Sequence, residues 1–551
     1  MEDIGVKIPA DHVEGKVDVG DLKNDRANKI LSEAAGQRIA LTPENNSRVL
    51  RKIDLYILPV VLGIYFLQAL DKATLAYASV FGLVEDTNLV GHEYSWLGAV
   101  VYLAQLVAQP LIAYALVKLP LGKFLAVIVL LWGISLSAMP AAHNFAGLLV
   151  CRLFLGLFEA GVAPAFIALT QMWWRRREQP VRLGAWYAMN GITNIVGSLL
   201  TYGIGHIHSS SLKPYQMRQI IFLFFGLITV VFSVVVWFFL PDSPITAHFL
   251  KGEDKLIAIE RWADLLYDVV SNLWLTLARL RANNQGVEGT EWKWTHVKEA
   301  ALDIKTWLWA AMMFTISVPS GGVSTFGPLI VKNFGFDQFE TILLNMPFGA
   351  VQLIATMGGA WAATALKLKS PVLAFLSLPP IAGCAMLLHL PRDASAKAPL
   401  LVAYYLISVY PGITPLIYSW SAANTAGETK KKVTTGALFI AQCAGNVLGP
   451  NLYTTGEAPL YHRGLLSNLA LFVVLIGLYA AQVCYLLVLN KRHGKTRESM
   501  GKRAVLVDKS MNRVRAASTN GTSEEQDEDM TGHHAFDDKT DWENEDFIFV
   551  Y

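Results

Sequence analysis

Arg152 and Glu159 stand seven residues apart in an apolar run, Phe145 to Ala168, that carries no other charge. On an α-helix that spacing is about two turns, roughly 10 Å, so both side chains share a face. The run is long enough to cross a bilayer core of about 30 Å. An ionisable group at that depth costs at least ~2.5–3.5 kcal/mol, so two on one face call for a cavity or a pairing partner rather than lipid. A second pair lies in Gln68-Ala-Leu-Asp-Lys-Ala-Thr-Leu-Ala-Tyr77. Asp71 there is roughly 15 Å from the outer end of its apolar segment. Its neighbour Lys72 points about 100° away on the helix, so the two cannot face one partner. Asp71, Lys72, Arg152 and Glu159 form a set that is neutral when every group is ionised. An acid that takes up a proton frees its basic partner to receive an organic anion, which is the physical logic of proton–anion symport. A neutral quartet that only locks helices together is the structural alternative.

Neutral polar groups recur at a spacing of four, which puts each pair on one helix face. They are Gln105 and Gln109, Asn190 and Asn194, and Gln442 and Asn446. Such amides hydrogen-bond a substrate carboxylate or ring nitrogen, or equally a neighbouring helix. Gln68, Gln105, Tyr187, Asn190, Asn194, Tyr418, Asn424, Gln442 and Asn446 are the candidate cavity-lining residues, with plain packing as the competing role of the aromatics. Glycines and prolines interrupt the same segments: Gly156, Gly161 and Pro164, Gly191 and Gly197, Pro319-Ser-Gly-Gly322, and Gly445, Gly449 and Pro450. Small residues let helices approach closely, and interruptions at matching depth let a rocking transporter bend.

The elements that must position these residues follow from composition. Of 551 residues 53% are hydrophobic and only 16% charged, against about 25% charged in soluble domains. With a mean hydropathy of +0.38, the chain reads as an all-α polytopic membrane protein. A formal net charge of +2 offers no field for nucleic acid. The four cysteines, Cys151, Cys384, Cys443 and Cys484, all fall in apolar segments and make neither a disulfide framework nor a metal site. No His-Glu-x-x-His, P-loop or Gly-x-Ser-x-Gly pattern occurs, so no enzyme, cofactor or metal is expected.

Twelve transmembrane helices are predicted, near 55–80, 95–117, 123–142, 145–170, 183–205, 218–240, 306–331, 341–365, 371–390, 399–421, 434–455 and 465–489. They divide into six-helix halves at 48–244 and 306–490, with a disordered cytosolic N-terminus at 1–47, a central loop at 245–305 and a mostly disordered cytosolic tail at 491–551. No cleavable signal is expected, so the first span directs insertion. With the N-terminus inside, short inner loops and span edges hold Lys118, Lys123, Arg175, Arg176, Arg177, Arg182, Lys367, Lys369, Lys430, Lys431 and Lys432. The outer loops hold Lys213, Arg218, Lys332, Arg392, Lys397 and Arg463. That bias puts both termini in the cytosol. Within the central loop, Trp262–Ala278 is too short and polar to span and reads as an amphipathic helix on the inner membrane surface. The aromatic end of the tail either docks on the cytosolic face or stays solvated.

Six plus six spans with a long middle loop resemble the major facilitator superfamily. Arg51-Lys-Ile-Asp-Leu-Tyr-Ile-Leu-Pro59, Leu70-Asp-Lys72, Arg152-Leu-Phe-Leu-Gly-Leu-Phe-Glu159, Pro241-Asp-Ser-Pro244, Asn283-Asn-Gln-Gly-Val-Glu288, Trp292-Lys-Trp294 and Asp541-Trp-Glu-Asn544 resemble the fungal allantoate permease branch of its anion:cation symporter family. The resemblance implies proton-coupled import of an organic anion such as allantoate, nicotinate or a vitamin-like carboxylate. It also implies proton-coupling roles for Asp71 and Glu159, and anion-binding or gating roles for Lys72 and Arg152. The loop Lys118-Leu-Pro-Leu-Gly-Lys123 lacks the acid usual in the superfamily, and Trp262–Arg279 is an 18-residue insertion relative to the branch, as a retained intron would leave. The partners expected are a small organic anion, protons and the lipid bilayer, with no nucleic acid, and the protein is read as a monomer of the plasma membrane. An efflux carrier for a fungal secondary metabolite and a transporter-like nutrient receptor are the alternatives.

Overall fold

The computed structural model describes residues 43–174, 178–207, 216–244, 246–250, 254–255, 257–258, 293–366, 368–500, 539–545 and 547–551. The expected N-terminal tail to residue 42, the stretch Trp262–Arg279 and tail residues 501–538 lie outside them.

Among the described residues every long element is a helix. In the first half these are α1 (Pro43–Tyr56), α2 (Leu58–Val80), α3 (Glu93–Lys118), α4 (Leu121–Ala138), α5 (Phe145–Glu159), α6 (Val162–Trp173), α7 (Gln179–Gly205) and α8 (Gln216–Phe239). A short helix, α9 (Trp294–Leu302), opens the second half. It is followed by α10 (Ile304–Lys332), α11 (Asn345–Leu366), α12 (Ser370–His389), α13 (Lys397–Ile407), α14 (Ile413–Ala423), α15 (Glu428–Asn451) and α16 (His462–Ser499). Among the described residues, ten helices or helix pairs are long and apolar enough to cross a membrane. The other two predicted spans are α7 and α15, whose amides and hydroxyls lower their hydropathy but not their length.

Local sequence sets the ends. Asn144 caps α5 by accepting from the Gly147 N–H (2.9 Å), and Asp303 caps α10 from the Lys305 N–H (3.0 Å). Prolines sit in the first turn of α2, α7 and α12, where a missing N–H costs nothing. Among the described residues four spans are broken into two pieces: α1–α2 before Pro59, α5–α6 after Glu159, the short helix Gln338–Leu343 from α11 at Leu344, and α13–α14 at Tyr410-Pro-Gly412. By contrast α7, α10 and α15 run unbroken through the glycines and prolines expected to interrupt them.

The large side chains on the perimeter, such as Val231, Phe238, Trp361 and Phe375, are more than half exposed. Lipid tails are as apolar as these side chains, so burial from water does not drive the helices together; close packing does. Within each half α4 lies along α8 and α10 along α15. Between halves α7 packs on α11, α3 on α15 and α2 on α10. At the α7–α11 crossing Gly191 and Gly349 lie back to back: a Cβ on Gly191 would meet the Gly349 carbonyl oxygen at 2.7 Å, and one on Gly349 the Gly191 oxygen at 2.6 Å.

The bundle has a near end, where Pro43 begins α1, and a far end. Polar ties between the halves gather at the far end. Tyr94 Oη donates to the Thr325 carbonyl (2.9 Å), Ser95 Oγ to the Tyr453 carbonyl (2.9 Å) and Lys332 Nζ to the Val80 carbonyl (2.9 Å). Phe339 packs edge-on against Phe81 and Tyr202. At the near end Arg182 pairs with Asp54 (2.5 Å) inside the first half, and Lys430 with Glu299 (2.7 Å) and Asp303 (2.8 Å) inside the second.

Candidate functional site

The charged residues singled out in the sequence sit on α2 and α5, inside the first half. Lys72 Nζ lies 2.8 Å from Glu159 Oε1, and the Glu159 side chain is fully buried. Arg152 is also buried; its Nε donates to the Leu97 carbonyl (3.1 Å), while its Nη1 has no hydrogen-bond partner. The Lys72 ammonium lies 5.8 Å from the centre of the Tyr102 ring. A buried guanidinium nitrogen without an acceptor is a costly vacancy, and it faces the same region as Lys72.

That region is a cavity of about 20 Å³ lined by Lys72, Leu75, Gly98, Val101, Tyr102 and Arg152 from the first half, and Ser324 and Thr325 from the second. Such a volume holds about one water molecule. Gly98 and Thr325 also close the far end, since a Cβ on Gly98 would meet the Thr325 hydroxyl oxygen at 2.8 Å. The two cations therefore stand beside the contact that joins the halves.

Asp71 does not line this cavity. It is fully buried, accepts a hydrogen bond from Trp132 Nε1 of α4, and leaves Oδ1 without a partner. The roughly 100° between neighbours on a helix thus sends Lys72 to Glu159 and Asp71 to Trp132.

The neutral candidates separate into groups. Gln68 is buried one turn before Lys72, and Gln105 is buried with its carbonyl accepting from Gln109 Nε2 (3.2 Å). Asn190 Nδ2 donates to Tyr65 Oη (3.1 Å), in a cluster where Tyr65 packs on Trp186 (5.0 Å) and Trp186 stacks on Tyr187 (4.4 Å). Asn194 Nδ2 crosses to the other half and donates to Gln352 Oε1 (2.7 Å). Tyr418 Oη donates to Gln442 Oε1 (2.8 Å), and Asn446 Nδ2 to the Gln442 carbonyl (2.9 Å), leaving Asn446 Oδ1 buried and unpartnered. Asn424 is placed elsewhere, at the near end, where it is fully buried and holds the backbone of Val550. Tyr102, Trp132, Ser324 and Thr325 escaped the sequence reading. Tyr102 stands one turn before Gln105 and was open to the same argument from spacing; the other three have no distinctive spacing.

A model of the Major Facilitator Superfamily matches residues 61–450. The thiamine pathway transporter THI73 of Saccharomyces cerevisiae is 33% identical over 452 residues, 80% of each chain. The allantoate permease of the same yeast is 29% identical over 552 residues, covering 97% of this chain and 92% of its own. A solved bacterial homologue of the human lysosomal transporter Spinster, in an inward-facing and occupied conformation, aligns with a TM-score of 0.55 at 14% identity, over 78% of this chain and 96% of that one. At that identity the likeness is one of fold.

Proposed function

This chain belongs to the Major Facilitator Superfamily and is a multi-pass membrane transporter rather than an enzyme, and from that premise we propose that it carries a small organic anion inward together with protons. One observation carries the reading: the Lys72–Glu159 pair stands beside Arg152, whose Nη1 lacks an acceptor, on the wall of a cavity shared by both halves. While Glu159 is ionised it occupies Lys72. When Glu159 takes up a proton, the Lys72 ammonium is freed, and with Arg152 it presents two cations to a carboxylate. The anion brings one negative charge and the proton one positive charge, so loading leaves the charge of the buried site unchanged. That matters where an uncompensated charge costs several kcal/mol.

Asp71 takes a supporting part in this scheme. By anchoring α2 to α4 through Trp132 it fixes where Lys72 stands, and its own protonation would loosen that anchor. The excess of Lys and Arg in the inner loops supports cytosolic termini, and uptake from outside would place the protein in the plasma membrane. Allantoate permease and the thiamine pathway transporter, the relatives named above, support a small polar organic solute as cargo.

The test is a screen of radiolabelled small carboxylates in proteoliposomes with an imposed proton gradient. Glu159→Gln, which mimics the protonated acid, should abolish gradient-driven accumulation and keep exchange of internal for external solute. Accumulation that survives this change refutes coupling through Glu159. Depletion of preloaded vesicles in place of filling would mark an exporter.

A further inference from the structure

The best-tied segment outside the site is the end of the tail. Asp541 is fully buried and pairs with two lysines, Lys305 at the start of α10 and Lys430 at the start of α15 (3.0 Å), and its Oδ1 accepts from the Ala426 N–H (3.1 Å). The lysines also reach Asp303, at 3.3 and 2.8 Å. Past Asp541 the chain turns, with the Asn544 N–H donating to the Thr540 carbonyl (3.0 Å), and Phe547 and Phe549 then alternate into the protein, each 1% exposed. Phe549 exchanges two hydrogen bonds with the Asn490 side chain of α16 (2.8 and 3.0 Å). Val550 does the same with Asn424 (2.9 and 2.8 Å), and its carbonyl also accepts from Trp420 Nε1 (2.9 Å). The Lys369 N–H at the start of α12 donates to the Tyr551 carbonyl (2.9 Å). The described residues of 539–551 thus bind the near ends of five helices, all in the second half.

The helix held most directly is α14. It is a short piece of eleven residues, separated from α13 by the turn at Tyr410-Pro-Gly412. There Gly412 backs onto the Ala355 carbonyl so closely that a Cβ would stand 3.0 Å from the oxygen. A short helix beyond a break can swing as a unit, and hinges of this kind are a few residues at element ends. Val550 clamps the free end of that unit through Trp420 and Asn424. Lys369 Nζ adds a tie to the Ser419 carbonyl (2.8 Å), and Lys369 is itself joined to Tyr551. The halves are meanwhile held together by polar ties at the far end, so the near end of α14 is a part that must move when the halves rock to close there.

We propose that residues 539–551 form a strap that pins α14 and so holds the near end of the second half open, and that release of the strap lets the near end close and the far end part. The strap acts on whatever the protein carries, so its test needs no substrate. The full chain is placed in nanodiscs with spin labels at V90C and Q338C, exposed far-end positions on opposite halves, and with the exposed Cys484 replaced by serine. Hydrogen exchange of 539–551 reports release. The strap variants are Asp541→Ala and the triple Asp541→Ala/Phe547→Ala/Phe549→Ala. Every change is in the strap itself, and Lys305 and Lys430 keep Asp303 as partner.

Faster exchange of the strap should come with at least a threefold rise in the population whose labels are far apart. Release of the strap with an unchanged distance distribution overturns the proposal. So does protection of 539–551 that persists in the triple variant, because the contacts named above would then not be what holds it. The outcome is independent of the uptake assay, so a failure here and a failure of proton coupling are distinguishable.

Discussion

Gln109 of α3 donates through Nε2 to the carbonyl oxygen of Ala160 at 3.4 Å. Ala160 follows Glu159, and its carbonyl is the acceptor that residue 164 would normally serve. Pro164 has no N–H to give. A side chain from the neighbouring helix therefore completes the hydrogen bonding of the break in α5–α6. The amide reads as helix glue, and it holds the turn that follows Glu159.

Replacing Gln109 with Leu should leave the Ala160 carbonyl unserved. Hydrogen bonds between membrane helices are worth roughly 0.6 kcal/mol on average and up to about 1.7. The expected result is a small loss of thermal stability in detergent and a weakened proton dependence of uptake, both read on the same preparation. A variant identical to the parent in both would show that the break supports itself.

Arg152→Ala removes the guanidinium whose Nη1 stands unpartnered beside the cavity. Substrate affinity should fall at least tenfold, since a charge-assisted hydrogen bond contributes about 1.5–3 kcal/mol. Equilibrium binding of the transported anion, measured by scintillation proximity, checks this. Unchanged affinity would assign Arg152 a purely structural part, through Leu97.

Trp132→Phe keeps an aromatic side chain but removes the indole donor to Asp71, which leaves a carboxylate oxygen buried without its partner. An orphaned buried group costs about 1–3 kcal/mol, more when charged. The yield of folded protein should fall, and the double variant Trp132→Phe/Asp71→Asn should recover part of it. A double variant no better than Trp132→Phe alone would mean that the two residues act separately.

Gly191→Ala adds a methyl that would stand 2.7 Å from the Gly349 carbonyl oxygen. The α7–α11 crossing must then spread, and the two halves touch there. Turnover should drop severalfold with surface expression kept, as measured by uptake normalised to labelled surface protein. Normal turnover would show that the crossing is not a pivot.

Docking of the strap should also report pH in a definite direction. Burial raises the Asp541 carboxyl, but Lys305 and Lys430 outweigh it and hold it below the ordinary carboxylate value. A depressed acid contributes stability that is complete above the ordinary value of about 3.9 and is lost as pH falls through the lower docked value. His493 of α16 also faces the strap, bonded to the Phe547 carbonyl (3.3 Å) and packed on Phe549, and burial holds its imidazole below the ordinary value. Exchange protection of 539–551 should therefore be level above about pH 7, weaken as His493 is driven to protonate below about 6.5, and fail below about 4. Protection that stays level from about pH 8 down to about 5 would show that His493 does not bear on docking.

Several of these relationships were legible without coordinates. Arg152 and Glu159 announce themselves because charge inside an apolar run has few reasons to exist. The 3.6-residue repeat places them on one face and sends Asp71 and Lys72 apart. The repeat cannot say which neighbour each one meets. Trp132 and Leu97 lie 61 and 55 residues from the groups they hold, and nothing in their local sequence marks them. Asn424 carried the same polar signal as Asn190, yet it serves the tail rather than the cavity.

The sequence by itself determined the helices and the four side chains too costly to leave in lipid, because these depend on short-range geometry and on the polarity of one segment at a time. Only the tertiary structure decided that Lys72 takes Glu159, that Asp71 takes Trp132, that the far end is joined, and that the tail's end reaches back to five helices. Those outcomes depend on which surfaces of separate helices come within a few ångströms, and in lipid that choice is made by shape and by the pairing of buried polar groups.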